Sequence, residues 1–159
     1  ITGGEPLLYD DLNSFIIQIK KLGYLVKLDT NGLLPEKLEK YIRNHRLDCV
    51  SMDVKYSPND YIKILGELGF EKIRDSIRII MGSNIDYEFR TTYVKGIHST
   101  MSSKEIAQLI PHAKKYFIQN FRPGKTINPL LSFDNSFTEA ELKILRKHAR
   151  SFVKNTEIR

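Results

Sequence analysis

Four short stretches of this 159-residue chain combine backbone freedom with charge in a way that could hold a small polar ligand. The first is Thr2-Gly3-Gly4-Glu5-Pro6-Leu7. Gly3 and Gly4 lack a Cβ, so a ligand can approach the main chain closely and bond to its carbonyls. Glu5 sets a carboxylate beside that backbone, and the two together suit an ammonium group. The second stretch, Leu28-Asp29-Thr30-Asn31-Gly32, offers Asp29 and Asn31 to hydroxyls or amines, and Gly32 lets the chain turn afterwards. In Met52-Asp53-Val54-Lys55, Lys55 is a compact cation suited to a carboxylate, and Asp53 would keep it charged and aimed. The fourth stretch is Glu88-Phe89-Arg90-Thr91-Thr92. Structural alternatives stand beside these readings. Glu5 could cap a following helix, Asn31-Gly32 is a common turn pair, and Asp53–Lys55 and Glu88–Arg90 could be internal ion pairs.

The elements that must position these residues follow from hydrophobic periodicity. Leu12, Phe15, Ile16, Ile19 and Leu22 recur at helical spacing, with Asp10 placed to cap the helix and Gly23 to end it. Residues 24–29 read as a strand. A second helix starts at Pro35, a residue suited to a first helical position, with Leu38, Tyr41 and Ile42 on its apolar face. Residues 49–55 form the next strand, before the Ser57-Pro58 turn. Ile73, Ile77, Ile80 and Met81 mark a helix, and residues 87–94 a strand. Ser102 with Glu105 predicts a capping box ahead of Ile106, Leu109 and Ile110. Residues 116–121 read as the last strand. Thr138 with Glu141 predicts a second capping box, opening a helix with Leu142, Leu145, Ala149 and Phe152 inward. Between them, residues 122–137 hold Pro123, Gly124, Asn128, Pro129 and Asn135 and read as a long loop.

Alternating strands and helices argue for a parallel sheet with right-handed crossovers. Residues two apart on a strand share a face. Lys27 therefore points with Asp29, Ser51 with Asp53 and Lys55, and Glu88 with Arg90 and Thr92. Val26, Leu28, Val50, Met52, Val54, Phe89 and Tyr93 face the other way. A doubly wound sheet buries both faces and reads as continuous apolar strands. Here one face carries charge, concentrated toward the strands' C-terminal ends, which fits a barrel whose site lies at that mouth. The expected fold is α/β, a partial TIM-type (β/α) barrel missing its first strand or strands. Residues 1–122 would form the barrel, and 123–159 a loop and C-terminal helix of the same domain.

Composition narrows the function. Hydrophobic residues make up 41% and charged residues 28%, ordinary for a globular domain. No apolar run approaches the roughly 20 residues of a membrane span, and Ile1-Thr2-Gly3-Gly4 is not a signal peptide. A cytoplasmic location is the default. One cysteine, Cys49, excludes an internal disulfide framework and a cysteine-clustered metal site; it reads as a buried small apolar residue. His45, His98, His112 and His148 lack the i, i+4 spacing of a helical metal site and read as surface residues. The net charge is +6, but the lysines are spread out and aromatics do not interleave with them, so no nucleic-acid partner is expected.

At these spacings the four stretches together resemble the radical S-adenosylmethionine (SAM) superfamily. Within it they are most similar to the activating proteins of anaerobic ribonucleoside-triphosphate reductases, over the chain from Thr2 to about Arg122. The resemblance implies that Gly3, Gly4 and Glu5 hold the amino end of SAM, and that Asp29 and Asn31 contact SAM as well. Lys55, supported by Asp53, would meet its carboxylate. Arg90 and Thr92 would line the adenosyl side, and Gln119 matches more loosely. Members of the family carry a 4Fe-4S cluster on a Cys-x-x-x-Cys-x-x-Cys loop. They cleave SAM reductively to a 5′-deoxyadenosyl radical, which the activating enzymes use to install a glycyl radical on their reductase. Flavodoxin or ferredoxin supplies the electron. The cysteine loop precedes Thr-Gly-Gly-Glu-Pro in relatives and is not in this sequence. The expectation is therefore a fragment of a longer enzyme, with no catalytic residue or metal ligand of its own, inactive alone, its first strand edge bare. The alternatives are a non-catalytic SAM- or partner-binding module, and a radical SAM enzyme acting on a small molecule.

Overall fold

The computed structural model of the chain describes residues 1–124 and 130–159; Asn128 and Pro129 of the expected loop lie outside them. The strands are β1 (Lys27–Thr30), β2 (Cys49–Asp53), β3 (Asp86–Tyr93), β4 (Tyr116–Asn120) and β5 (Thr156–Ile158). The helices are α1 (Leu12–Lys21), α2 (Pro35–Arg43), α3 (Pro58–Met81), α4 (Ser102–Ala107) and α5 (Glu139–Arg150). In the sheet the strands follow chain order, β1-β2-β3-β4-β5. β1 with β2, β3 with β4, and β4 with β5 all pair in parallel. The fold is α/β with a parallel sheet, as expected for part of a (β/α) barrel. The chain divides into two compact units, one of Ile1–Val54 and Tyr61–Glu88, the other of Lys55–Asp60 and Phe89–Arg159.

In the first unit, Leu28, Val50 and Met52 are fully buried, as are Ile16 of α1, Leu38 of α2 and Ile80 of α3. Each such side chain contributes about 1.5–3 kcal/mol by leaving water. The opposite strand face is polar, as the alternation predicts. Lys27 Nζ pairs with Glu88 Oε1 at 2.8 Å, and Ser51 Oγ donates to the same oxygen at 3.0 Å. β1 starts at Lys27 rather than at residue 24, because the Tyr24 N–H still bonds back to the Ile19 carbonyl and closes the end of α1. Asp10 is not the cap of α1; Asp11 occupies that position and makes no side-chain cap bond. α3 is interrupted at Gly66, whose φ of 72° and ψ of 173° are non-helical. The edge of β1 is not bare either. Ile1 N donates to the Lys27 carbonyl and the Asp29 N–H donates to the Ile1 carbonyl.

The second unit contains β5, which the period of the sequence did not reveal; three residues are too few to display alternation, and their pairing with β4 is tertiary. α5 packs on β4, β5 and α4. Its capping box forms as predicted: Thr138 Oγ1 accepts from the Glu141 N–H, and Glu141 Oε2 accepts from the Thr138 N–H. Leu142, Leu145 and Ala149 are buried, but Val153 rather than Phe152 completes the inward row. The Ser102–Glu105 box does not form. Ser102 Oγ accepts from the Ser99 N–H at 3.0 Å instead, so its hydroxyl serves the preceding turn. Within the expected loop, Phe133–Asn135 forms a 3-10 turn that Asn135 ties to the Lys95 carbonyl. Between β3 and β4 lies a buried hydroxyl chain from Tyr93 through Tyr116 to Thr91, with both spacings 2.8 Å. Burial is the main reason the Tyr93 phenol is held well above its ordinary range.

Candidate functional site

In the first unit the glycine stretch lies beside the C-terminal end of β1. Gly3 and Gly4 are exposed and adopt φ of 104° and 55°, and a Cβ built on either would meet nothing within 4 Å. Their main chain therefore borders open space. Glu5, by contrast, is buried and caps the 3-10 turn Pro6–Leu8. Its Oε1 accepts from Thr30 Oγ1 at 3.0 Å and from the Leu7 N–H at 3.3 Å, and its Oε2 accepts from the Asn31 N–H at 2.6 Å. Bonds to a charged acceptor contribute roughly 1.5–3 kcal/mol each. The carboxylate is thus a bracket that holds the glycine stretch against the end of β1, as the capping alternative for Glu5 anticipated.

The turn after β1 is locked from within. Asn31 Oδ1 accepts from the Leu33 N–H, Thr30 Oγ1 accepts from the Gly32 N–H, and the Gly32 carbonyl accepts from buried Ser76. Gly32 has a φ of 81°, and a Cβ there would sit 2.1 Å from Met52 Cε. Asp29 and Asp53 are half-buried at or near the ends of β1 and β2.

In the second unit Lys55 is exposed, and its carbonyl is held by His98. The His98 ring is buried, with the Val94 N–H donating to Nδ1 at 3.0 Å and Nε2 2.8 Å from the Lys55 carbonyl. Those partners fix the tautomer with the proton on Nε2. Burial keeps its pKa below the usual histidine range, opposed by the charge of Asp60. Arg90 is half-buried, while exposed Thr92 meets Gln119 at 3.4 Å across β3 and β4.

Several residues that organise these strand ends went unread in the sequence. Thr30 sits inside the Asp-Thr-Asn-Gly turn, where a hydroxyl able to serve as both donor and acceptor was the available signal. His98 was read as a surface residue and is not one, and no sequence spacing reveals a bond to a carbonyl 43 residues away. His148, also read as a helix-surface residue, is tied through Nδ1 to the Thr100 carbonyl at 2.9 Å. Cys49 is half-buried, not fully buried.

With this geometry in place, the comparisons with known proteins are specific. The family described as the radical SAM superfamily matches residues 1–110, and the chain belongs to it. A protein of Methanocaldococcus jannaschii, provisionally named a glycyl-radical enzyme activating enzyme, is 33% identical and is matched over all of this chain and 69% of its own length. An S-adenosyl-L-methionine-dependent tRNA 4-demethylwyosine synthase of Pyrococcus horikoshii is 26% identical over 73% of this chain and 35% of its own. Among solved structures, a domain of a pyruvate-formate lyase-activating enzyme from Bacteroides vulgatus superposes with a TM-score of 0.71 at 16% identity, covering all of this chain and 96% of that one. This last likeness is one of fold.

The iron–sulfur cluster that the family implies does not fit the residues of this chain. Three thiolates are needed and the sequence has one cysteine; among the described residues no three His, Cys, Asp or Glu side chains gather to hold a metal. Among the same residues, no helix is long and apolar enough to cross a membrane.

Proposed function

We propose that this chain is the SAM-binding part of a glycyl-radical activating enzyme whose partner is an anaerobic ribonucleoside-triphosphate reductase. The observation that carries the SAM assignment is the open main chain at Gly3 and Gly4, held beside the end of β1 by the Glu5 bracket. Bare backbone at that point can accept from an ammonium without a side chain intervening. Gly3 and Gly4 bind the amino end, and Glu5 positions them. Asp29 and Asn31 receive polar groups of the ligand at the end of β1. By the resemblance, Lys55 and Asp53 serve its carboxylate end, and Arg90 and Thr92 its adenosyl side. When bound and reduced, SAM supplies a 5′-deoxyadenosyl radical; the chain's own part is to bind and orient it. The partner class is supported by the name of the methanogen relative, and the choice of reductase by the resemblance of the four sequence stretches. Flavodoxin or ferredoxin serves as electron donor.

SAM binding by the 159-residue chain, followed by equilibrium dialysis, tests this reading. Gly4→Ala introduces a Cβ into open space at a φ of 55°, so its folding cost is confined to about 1–2 kcal/mol of backbone strain. Affinity for SAM should nevertheless fall at least about tenfold, a loss of roughly 1.4 kcal/mol. Unchanged affinity would reject the assignment. With one cysteine, the same chain should form no 5′-deoxyadenosine under reducing conditions, and measurable product would sink that part of the proposal.

The match to a GTP 3′,8-cyclase of Helicobacter pylori, 29% identical over 75% of this chain and 37% of its own, supports a second reading, a radical SAM enzyme acting on a small molecule. A glycyl-radical electron paramagnetic resonance signal on a co-purified reductase decides for the first reading. Its absence from a reductase activated normally by another enzyme decides for the second.

A further inference from the structure

Lys55 lies past the end of β2 at Asp53, in the short link that leads to α3. The far end of that link is closed locally. Ser57 Oγ donates to Asp60 Oδ2 at 2.7 Å and accepts from the Asp60 N–H at 3.3 Å, which caps the start of α3. At Lys55 itself the link is pinned from elsewhere in the second unit, by the His98 Nε2–H on its carbonyl at 2.8 Å. The turn after β3 is shaped to aim that ring. The His98 N–H donates to the Val94 carbonyl at 2.8 Å while the Val94 N–H donates to Nδ1 at 3.0 Å, so residues 94–98 close on themselves. Tyr56 stacks on the imidazole with ring centroids 6.0 Å apart, and Tyr93 lies tilted against it at 5.1 Å. Of the charged neighbours, Asp60 acts on the ring, whereas the Lys95 ammonium is turned to Glu141 at 2.9 Å. Burial keeps the imidazole neutral at neutral pH, so one nitrogen accepts while the other donates. A lysine side chain has much rotamer freedom to lose on binding, so fixing its backbone narrows where its ammonium can reach.

We propose that His98 is the positioning residue for Lys55, fixing its main chain so that the ammonium meets the carboxylate of SAM. His98 would then set the preference for ligands that carry this carboxylate. The inference rests on the reading that Lys55 serves the carboxylate end of SAM.

Asparagine and glutamine divide the two ring nitrogens between them. His98→Asn keeps an acceptor for the Val94 N–H and loses the Lys55 bond; His98→Gln can reach the Lys55 carbonyl and gives up the Val94 bond. Equilibrium dialysis of the 159-residue chain would compare SAM with its decarboxylated analogue. His98→Asn should weaken SAM binding about fivefold or more and leave the analogue within about twofold. His98→Gln should stay within about twofold for both ligands. Lys55→Ala should also weaken SAM alone, and adding His98→Asn to it should weaken SAM no further. Equal losses for both ligands in His98→Asn would mark a merely structural role and overturn the inference. So would unchanged SAM affinity in His98→Asn beside a loss in Lys55→Ala. Unchanged SAM affinity in Lys55→Ala would instead remove the reading beneath the inference, and the inference with it. The wild-type chain gives a test that does not depend on how His98→Asn folds. In ¹⁵N nuclear magnetic resonance, bound SAM should shift the His98 Nε2–H signal and the bound analogue should leave it in place. A signal unmoved by bound SAM would overturn the inference.

Discussion

The two units hold their strand-end loops by the same device built from opposite chemistry. In the first, a buried carboxylate, Glu5, gathers one hydroxyl and two backbone N–H groups. In the second, a buried neutral imidazole, His98, takes one backbone N–H and gives its own proton to the Lys55 carbonyl. A carboxylate accepts only, so it suits a place where N–H groups converge. A neutral imidazole does one of each and can join a donor to an acceptor. Hydrogen bonds to a charged group are about twice as strong as neutral ones. The glycine stretch should therefore be the more rigidly held of the two.

The largest effect expected on this account is that of Glu5→Ala, which strands the Asn31 N–H and the Thr30 hydroxyl and should cost about 3 kcal/mol in a urea or thermal unfolding experiment. Glu5→Gln should recover little, because its amide would place a donor against a donor.

His98→Ala should cost less, about 1–3 kcal/mol, since the bonds it removes join neutral groups. His98→Asn can still accept from the Val94 N–H but cannot reach Lys55, and should fall between the two. A His98 variant costlier than its Glu5 counterpart would reverse the comparison. His98 also carries a pH signature. Its folded pKa lies below the ordinary 6.5, so the unfolded chain binds the proton first. The His98 contribution is complete above pH 6.5, is lost as the pH falls below it, and stops declining once the folded ring is protonated. Thermal melts across that window should converge for wild type and His98→Asn as the pH drops.

Glu141 is a more exposed counterpart of the Glu5 carboxylate. Lys95 and then Thr138 hold its pKa down at about 2, so its contribution persists from above its ordinary value of 4.5 and is lost as the pH falls toward 2. Thr138→Ala should cost about 1 kcal/mol, the usual worth of an N-cap. A cost equal to that of Glu5→Ala would mean that burial adds nothing to the bracket.

Much of this was legible in the residues. Pro35 starts α2, Thr138 and Glu141 cap α5, and the alternation of Lys27, Ser51 and Glu88 put them on one polar face, where they meet. These are local signals, carried by fixed φ angles, short hydrogen bonds or a two-residue period. The misreadings share a cause too. Ser102 had a choice of nearby backbone donors and served Ser99; Tyr24 was claimed by the end of α1; β5 was too short to show a period.

The sequence by itself determined the order of strands and helices, the polar face, the four strand-end stretches and, through one cysteine, that no cluster ligand set lies within these residues. Tertiary structure decided what those stretches are tied to. It turned Glu5 inward, leaving the Gly3–Gly4 main chain open, and made buried His98 the support of Lys55. A hydrogen bond between residues tens of positions apart depends on how the chain returns on itself, and neither composition nor period encodes that separation.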